Sequence, residues 1–149
     1  MKIGLLLHND RQVAAYLFPR YVREGVRVSY DAAVGILTDG ELTGGILLQS
    51  WNGFNVELSY YGPRTLTLGV TRCLARYLLS AFNPSRVTVT VNRKRKNLMR
   101  GLRKLGFAVE GTQRRFYGEQ DINRNTGVRF VMFREQVEQL AQLERRAAG

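Results

Sequence analysis

The sequence predicts an α/β domain of the mixed α+β kind, in which a mostly antiparallel sheet is flanked by helices. Two dipeptides, Asp39-Gly40 and Asn52-Gly53, separate three strand-like runs, and such pairs are typical of type I′ hairpin turns. Residues 87–91 are five consecutive β-branched residues, which favour a strand inside the sheet. Apolar residues recur at helical spacing in several of the intervening segments.

The first half of the chain predicts a strand, a helix, a meander and a second helix. Asp10 is a plausible N-cap for the first helix, and Pro19 should bend or end it. The second helix opens at Pro63-Arg64, buries one apolar face and ends near Asn83-Pro84, because proline cannot continue a helix. The predicted strands of this half are residues 1–7, 31–38, 42–50 and 54–61.

The second half predicts one more strand and helix, then a pair of strands and a short last helix. Leu98, Leu102 and Leu105 recur at helical spacing, and Gly106 supplies a left-handed stop. The predicted strands are 86–92, 109–116 and 128–133, with a polar loop at 118–127, a helix at 95–105 and a helix from about residue 135. The complete order is β-α-βββ-α-β-α-ββ-α.

Length and composition indicate one domain, residues 1–149, with enough apolar material for a core: 44% of the chain is hydrophobic. One cysteine and one histidine exclude a disulfide scaffold and a zinc enzyme, so no metal is expected. No apolar run approaches the roughly 18 residues of a membrane span. We therefore expect a cytoplasmic protein that does not contact the membrane.

The charge points to an anionic partner. Lys and Arg number 23 against 12 Asp and Glu, a formal net charge of +11. Residues 86–149 hold 15 of these basic side chains and only 6 acidic ones. A phosphate compound, a nucleic acid or an acidic protein surface is the expected kind of partner.

The element order resembles that of the GCN5-related N-acetyltransferase (GNAT) family, and two segments carry the resemblance. The family's cofactor motif after the third meander strand reads Arg or Gln, two residues, Gly, one residue, Gly or Ala. Here Arg64 and Gly69 match, whereas Thr67 replaces the first glycine. Further on, residues 87–92 and the run L-G-F-A-V-E-G at 105–111 are similar to the strand, Asn, helix, L-G-F-x-x-E-G segment of members that modify ribosomal proteins.

The resemblance implies an acetyl-CoA-dependent N-acyltransferase, in which an amine attacks the thioester directly. A helix that begins after a strand offers free amides and a positive dipole end to a pyrophosphate, and residues 64–69 would form that cradle. Asn92 would contact the cofactor amide or cap the next helix, and the four cations at 93–96 would lie near the adenosine phosphate. The predicted cofactor-binding residues are Arg64, Thr65, Thr67, Leu68, Gly69, Asn92, Arg93 and Lys96.

Catalysis needs a base for the amine and preferably an acid for the thiolate. Glu57 on the third meander strand is the best base, and His8 is a weaker one. The family's frequent acid is a tyrosine at the position of Leu102, so Tyr61 is the predicted substitute, with Tyr60 and Tyr117 as alternatives. An acceptor groove is expected from Trp51, Tyr30 and the loop at 118–127, and the positive charge favours a neutral or acidic amine.

Two further functions remain open from the sequence. A catalytically degenerate member of the fold would be a structural or interaction module, for example a phage-encoded virion or accessory protein located in the host cytoplasm or virion. A nucleic-acid binder would use the basic residues between 93 and 104 for phosphate contacts. The oligomeric state is not predicted.

Overall fold

The computed structural model describes residues 1–21, 29–120 and 125–143, and in these ranges a sheet of seven strands is flanked by four helices. The fold class and the element order are those predicted. The elements are β1 Ile3–Leu6, α1 Asp10–Tyr21, β2 Ala32–Thr38, β3 Glu41–Gln49, β4 Asn55–Tyr61, α2 Leu68–Ala81, β5 Arg86–Asn92, α3 Lys96–Leu105, β6 Ala108–Gln113, β7 Gly127–Phe133 and α4 Arg134–Ala141.

The strands lie in the order β1-β2-β3-β4-β5-β7-β6. Every neighbouring pair is antiparallel except β4 and β5, which are parallel. Helix α1 packs on one face, over β2 and β3, whereas α2 and α4 pack together on the other. Leu102 of α3 is fully buried in that second core, with Leu74 of α2 and Phe130 of β7. No helix in the described ranges is long and apolar enough to cross a membrane.

One of the two predicted hairpin turns forms as expected. Asp39 and Gly40 have φ values of 50° and 87°, as a type I′ turn requires. The second prediction is wrong, because β3 ends at Gln49 and β4 begins at Asn55, which leaves a five-residue connection. Asn52 uses its side-chain oxygen to accept hydrogen bonds from the amides of Phe54, at 2.9 Å, and Asn55, at 2.7 Å.

The start predicted for the second helix is also wrong, because α2 begins at Leu68. Gly62 and Arg64 have φ values of 92° and 64°, so residues 62–64 cannot belong to a right-handed helix. Thr67 is the N-cap, and its hydroxyl accepts a hydrogen bond from the amide of Val70 at 3.4 Å. The segment from Gly62 to Thr67 is therefore a loop that delivers the helix start.

Two other boundaries differ from the prediction. Helix α1 continues through Pro19 to Tyr21, since a proline in the last turn removes only one hydrogen bond near a frayed end. Strand β6 ends at Gln113 rather than at residue 116, because Arg115 has a φ of 59° and turns the chain. Part of the predicted loop at 118–127, residues 121–124, lies outside the described ranges.

A close approach of backbone to backbone fixes the end of β4 on β3. A Cβ atom on Gly44 would lie 2.4 Å from the carbonyl oxygen of Tyr61, and one on Gly62 would lie 2.5 Å from that of Thr43. Both are impossible contacts, so only glycine permits the two strands to stay this close. The pairing of β3 with β4 thereby extends to Gly45 opposite Tyr61.

We predict that Gly44→Ala destabilises the protein by about 1–3 kcal/mol, because backbone must move to admit the added methyl group. The free energy of unfolding, measured in urea, tests this. Gly4→Ala on β1 is the matched control, since a Cβ there meets nothing within 4 Å, and it should be neutral or slightly stabilising. Equal effects of the two substitutions would contradict the prediction.

Candidate active site

Strands β4 and β5 separate partway along their length. Their pairing runs from Asn55 opposite Arg86 to Leu58 opposite Val89 and then stops. Beyond that point β4 continues to Tyr61 against β3, and β5 continues to Asn92 against β7. Each strand keeps its outer neighbour, so the gap opens between them in the middle of the sheet.

A cavity of about 340 Å³ lies at this gap, within the size range of small-molecule sites. Both parting strands contribute to its wall, and so do the start of α3 and the turn after β6. The lining residues are Gln49, Glu57, Ser59, Tyr60, Val89, Thr90, Val91, Asn92, Arg95, Leu98, Phe116 and Tyr117.

Glu57 supplies the cavity's carboxylate. Its Oε1 accepts a hydrogen bond from the hydroxyl of Thr90 at 3.0 Å, and the guanidinium of Arg129 lies 3.7 Å away. Arg129 is shared with Glu110, whose Oε1 is 3.5 Å from its Nε. Because the Glu57 side chain is 25% exposed, water reaches it. The predicted base therefore lies in the cavity, with one oxygen oriented by a partner on the other strand.

Tyr117 brings a hydroxyl to the same cavity from the turn after β6. This hydroxyl donates a hydrogen bond to the carbonyl oxygen of Thr90 at 3.3 Å. Burial, together with the nearby Glu57 carboxylate, raises the pKa of Tyr117 to about 12, although Arg95 acts in the opposite direction. The side chain is therefore protonated at neutral pH and can donate a proton or a hydrogen bond.

The other tyrosines of the prediction lie differently. Tyr60 lines the cavity, and burial raises the pKa of its hydroxyl above the usual value. Tyr61 is the next residue on β4 and faces the other way, where it packs against the α1 core beside Leu17 and Leu47. Leu102 is wholly buried, so it is a core residue and brings nothing to the cavity.

The loop before α2 presents a helix N-terminus next to the gap. The first intrahelical bond of α2 joins the amide of Thr71 to the carbonyl of Thr67, so the amides of Leu68 and Gly69 have no intrahelical partner. A Cβ on Gly69 would meet nothing within 4 Å. Two backbone donors at the positive end of the helix are thus open to an anion.

The residues predicted to form the phosphate cradle differ in their exposure and in their contacts. Arg64 is exposed at this loop, whereas Thr65 is 6% exposed and therefore buried. Leu66 packs against α3, because a Cβ on Gly101 would lie 2.7 Å from its Cδ1. The hydroxyl of Thr67 donates to the carbonyl of Arg64 at 3.2 Å, so its proton is used within the loop.

The turn between β5 and α3 carries the remaining predicted residues. Asn92 is 9% exposed, and its side-chain oxygen accepts a hydrogen bond from the amide of Lys94 at 3.1 Å. This bond closes the turn and does not cap α3, whose N-cap is Arg95 without a side-chain capping bond, so the capping alternative is wrong; Asn92 lines the cavity. Arg93 and Lys96 are exposed.

Three side chains considered from the sequence lie away from the cavity. Trp51 packs edge-on against Phe82 at 5.2 Å, and Tyr30 lies 5.6 Å from the ring of Phe18. His8 contacts Tyr77 edge-on at 6.0 Å. The loop that bears Trp51 is at the paired end of β4, opposite the gap, so the predicted acceptor groove does not form there. Within the described ranges no group of three His, Cys, Asp or Glu side chains could hold a metal ion.

Sequence reasoning missed Gln49, Ser59 and Arg129. The hydroxyl of Ser59 donates to the side chain of Gln49 at 2.7 Å, which extends the polar wall beyond Glu57. Gln49 pairs with Glu57 across β3 and β4, so the strand register would have placed it beside the carboxylate. Arg129 pairs with Thr90 across β5 and β7, but that register cannot be read from either strand alone.

Comparison with solved structures defines the class of fold. A chimaera of the spermidine N-acetyltransferase SpeG from Vibrio cholerae and hSSAT superposes with a TM-score of 0.71 at 13% identity, over 93% of this chain and 99% of that one. A GCN5-related N-acetyltransferase from Brucella melitensis gives 0.65 at 15% identity, over 94% and 79%. The molecule thus has the fold of the GNAT acetyltransferases.

The likeness does not extend to the full length of every neighbour. A probable acetyltransferase matches with a TM-score of 0.59 at 19% identity, over 70% of this chain and 63% of its own. This chain therefore spans less than two thirds of that protein. No family model matches the chain, and no curated protein matches it by sequence.

Tyr117 predicts a dependence of stability on alkaline pH. Its pKa of about 12 lies above the usual tyrosine value of 10.0, so the folded protein holds a proton that the unfolded chain loses between those values. The stabilisation is complete below about pH 10 and is lost as the pH rises toward 12. Denaturant unfolding at several pH values should therefore show a less steep decline for Tyr117→Phe than for the wild type. Parallel curves would contradict the raised pKa of this hydroxyl.

Proposed function

We propose that the protein is a coenzyme A-dependent N-acyltransferase that moves an acetyl group from acetyl-CoA to an amine. The proposal rests on one observation above all: the gap between β4 and β5 combines a cavity, a carboxylate and an adjacent free helix N-terminus. The GNAT fold of the chain agrees with it. We propose likewise that the chain belongs to the GNAT family and that the group transferred is acetyl.

The acyl carrier is bound by the start of α2. Its pyrophosphate accepts hydrogen bonds from the amides of Leu68 and Gly69, and charge-assisted bonds of this kind contribute roughly 1.5–3 kcal/mol each. Arg64 adds a positive charge from the loop, as do Arg93 and Lys96 across the gap. The open backbone edges of the two strands bind the rest of the carrier, which brings the thioester into the cavity.

Glu57 serves as the base for the incoming amine. The amine loses a proton to its carboxylate, directly or through a water molecule, and the freed nitrogen attacks the thioester carbonyl carbon. Thr90 holds one carboxylate oxygen in place. Holding the amine next to the thioester contributes on the order of 7–11 kcal/mol to catalysis, which is more than a single proton transfer contributes.

Tyr117 serves as the acid for the leaving thiolate. The carbon–sulfur bond breaks as the amide forms, and the sulfur takes a proton from a hydroxyl at the cavity wall. Tyr117 is protonated and hydrogen-bonded at that wall, whereas Tyr61 faces α1. General acid catalysis is worth a factor of about 100 to 10,000, so its loss slows the enzyme without abolishing it.

The acceptor is a neutral or acidic amine. Glu57 is the acidic residue of the cavity lining, and it is already paired with Arg129. Arg95 lies in the same wall. A polycationic acceptor would therefore meet repulsion at the cavity mouth.

A matched pair at Gly69 tests carrier binding. Gly69→Glu places a negative charge at the helix start, where the dipole tolerates it, but the charge repels a pyrophosphate. Gly69→Gln has the same size without the charge. We expect acetyl-CoA to stabilise the wild type by several degrees in a thermal shift at moderate salt, and the Glu variant to lose most of this shift.

The uncharged Gly69→Gln variant is the control for Gly69→Glu. Gly69→Gln should retain more acetyl-CoA affinity than Gly69→Glu in isothermal titration. Both variants should fold, since the position faces open space. Absence of any shift of the wild type at millimolar acetyl-CoA would remove the proposed function.

Glu57→Gln tests the base. The amide retains an oxygen for the Thr90 hydroxyl but cannot accept the amine proton, so kcat should fall by about 100-fold or more. The affinity for acetyl-CoA should stay within about twofold, since Glu57 is not among the residues that hold the carrier. Release of the CoA thiol over a panel of amines, with spermidine as the polycationic member, provides the assay.

Glu110→Gln is the control for this substitution. Glu110 shares Arg129 with Glu57 but lies outside the cavity lining. Its neutralisation should change kcat only a few-fold. A wild-type rate in Glu57→Gln, or an equal loss in both variants, would show that the carboxylate is not the base.

A further inference from the structure

The outer face of α3 carries a line of cations. Lys96, Arg100 and Lys104 are all exposed and stand four residues apart, so neighbouring Cβ atoms are about 5–6 Å from each other. We call these three residues the α3 stripe. The helix sequence KNLMRGLRKL contains no acidic residue.

This arrangement weakens the helix that bears it. Like charges at i and i+4 destabilise a helix by about 0.2–0.5 kcal/mol per pair, and Lys96 also faces the positive end of the helix dipole. Within residues 1–21, 29–120 and 125–143, none of the three forms an ion pair with a carboxylate. Of the three, only Lys104 lies in the last turn, where the helix dipole favours a cation, so within those ranges the charges of Lys96 and Arg100 are available to an anionic ligand.

A second basic surface includes aromatic rings. The turn after β6 reads Arg114-Arg115-Phe116-Tyr117, and we call it the basic-aromatic turn. Phe116 is 50% exposed and Tyr117 44%, and their rings meet edge-on at 4.8 Å. Exposed aromatic rings beside arginines form the stacking platforms of proteins that bind single-stranded nucleic acids.

The sheet register places these two surfaces side by side. Gly127 of β7 pairs with Asn92 at the end of β5 and with Gln113 at the end of β6. The turn that leads into α3 and the basic-aromatic turn therefore leave the sheet at the same end of its strands. Arg95, directly before the stripe, and Tyr117 both line the cavity, so the N-terminal end of the stripe lies beside the basic-aromatic turn at the cavity mouth.

We propose that the α3 stripe and the basic-aromatic turn bind a single-stranded nucleic acid across the mouth of the cavity. The cations contact the phosphates, and Phe116 stacks on a base. An acidic protein segment would match the charge, but the exposed aromatic rings next to the arginines favour a ligand with bases that stack on them. This surface goes beyond the proposed acyl transfer, since Arg100 and Lys104 lie past the residues assigned to the acyl carrier.

Binding is measured by fluorescence anisotropy with labelled single-stranded RNA and DNA of one sequence, about 20 nucleotides long. We expect a Kd in the micromolar range at about 0.1 M salt. Arg100→Gln/Lys104→Gln should reduce the slope of log K against log salt by about 1.4 and should not lower the Tm. Phe116→Leu, which keeps an apolar side chain, should weaken binding by about fivefold or more.

A control of equal charge is available at the far edge of the sheet. Lys2→Gln/Arg11→Gln removes the same two charges from exposed positions, one directly before β1 and one on α1. It should leave affinity and salt slope near the wild-type values. An equal loss in both double variants would mean that only net charge matters, and the proposal would be overturned.

The remaining outcomes also decide the question. Absence of binding to both RNA and DNA overturns the proposal, and so does equally tight binding of poly-glutamate or of phosphatidylglycerol vesicles. A preference for RNA over DNA, or the reverse, identifies the strand. Acetyl-CoA titrations on the same variants keep the two proposals apart, because Arg100→Gln/Lys104→Gln should not change acetyl-CoA affinity.

Discussion

The site depends on the continued pairing of β4 with β3 beyond the point where β4 and β5 separate. Gly44 and Gly62 allow the backbones to approach so closely that β4 follows β3 to Tyr61, while β5 follows β7. The parallel pairing between the two inner strands therefore ends at Leu58. A cavity in the middle of a sheet exposes backbone that normally pairs, and this exposure persists because each strand is fully paired on its other side.

Much of the fold could be predicted from local sequence patterns. The β-branched run gave β5 its bounds, and Gly106, with a φ of 107°, ends α3 as expected of a left-handed stop. Two of the errors lie where side chains compete with the backbone. Asn52 accepts hydrogen bonds from neighbouring amides with its side chain, and Thr67 caps a helix that begins at Leu68 rather than at Pro63-Arg64.

The site was only partly predictable, because its residues meet through strand register. Glu57 could be found from its place on the third meander strand. Its partner Arg129 lies on β7 and reaches it past β5, and no local sequence pattern indicates that contact. Tyr117 was one of three tyrosine alternatives, and only the turn at Arg115, which shortens β6, shows that it faces the cavity rather than extending the strand.

The hydrogen bond from Thr90 to Glu57 joins β5 to β4 at the start of the gap between them. Thr90 lies one residue beyond the last pair on β5, and Glu57 one residue before it on β4. This side-chain hydrogen bond joins the two strands at the point where their backbone hydrogen bonds end. Further separation of the strands at this point would lengthen the bond, so the width of the gap and the position of the carboxylate are linked.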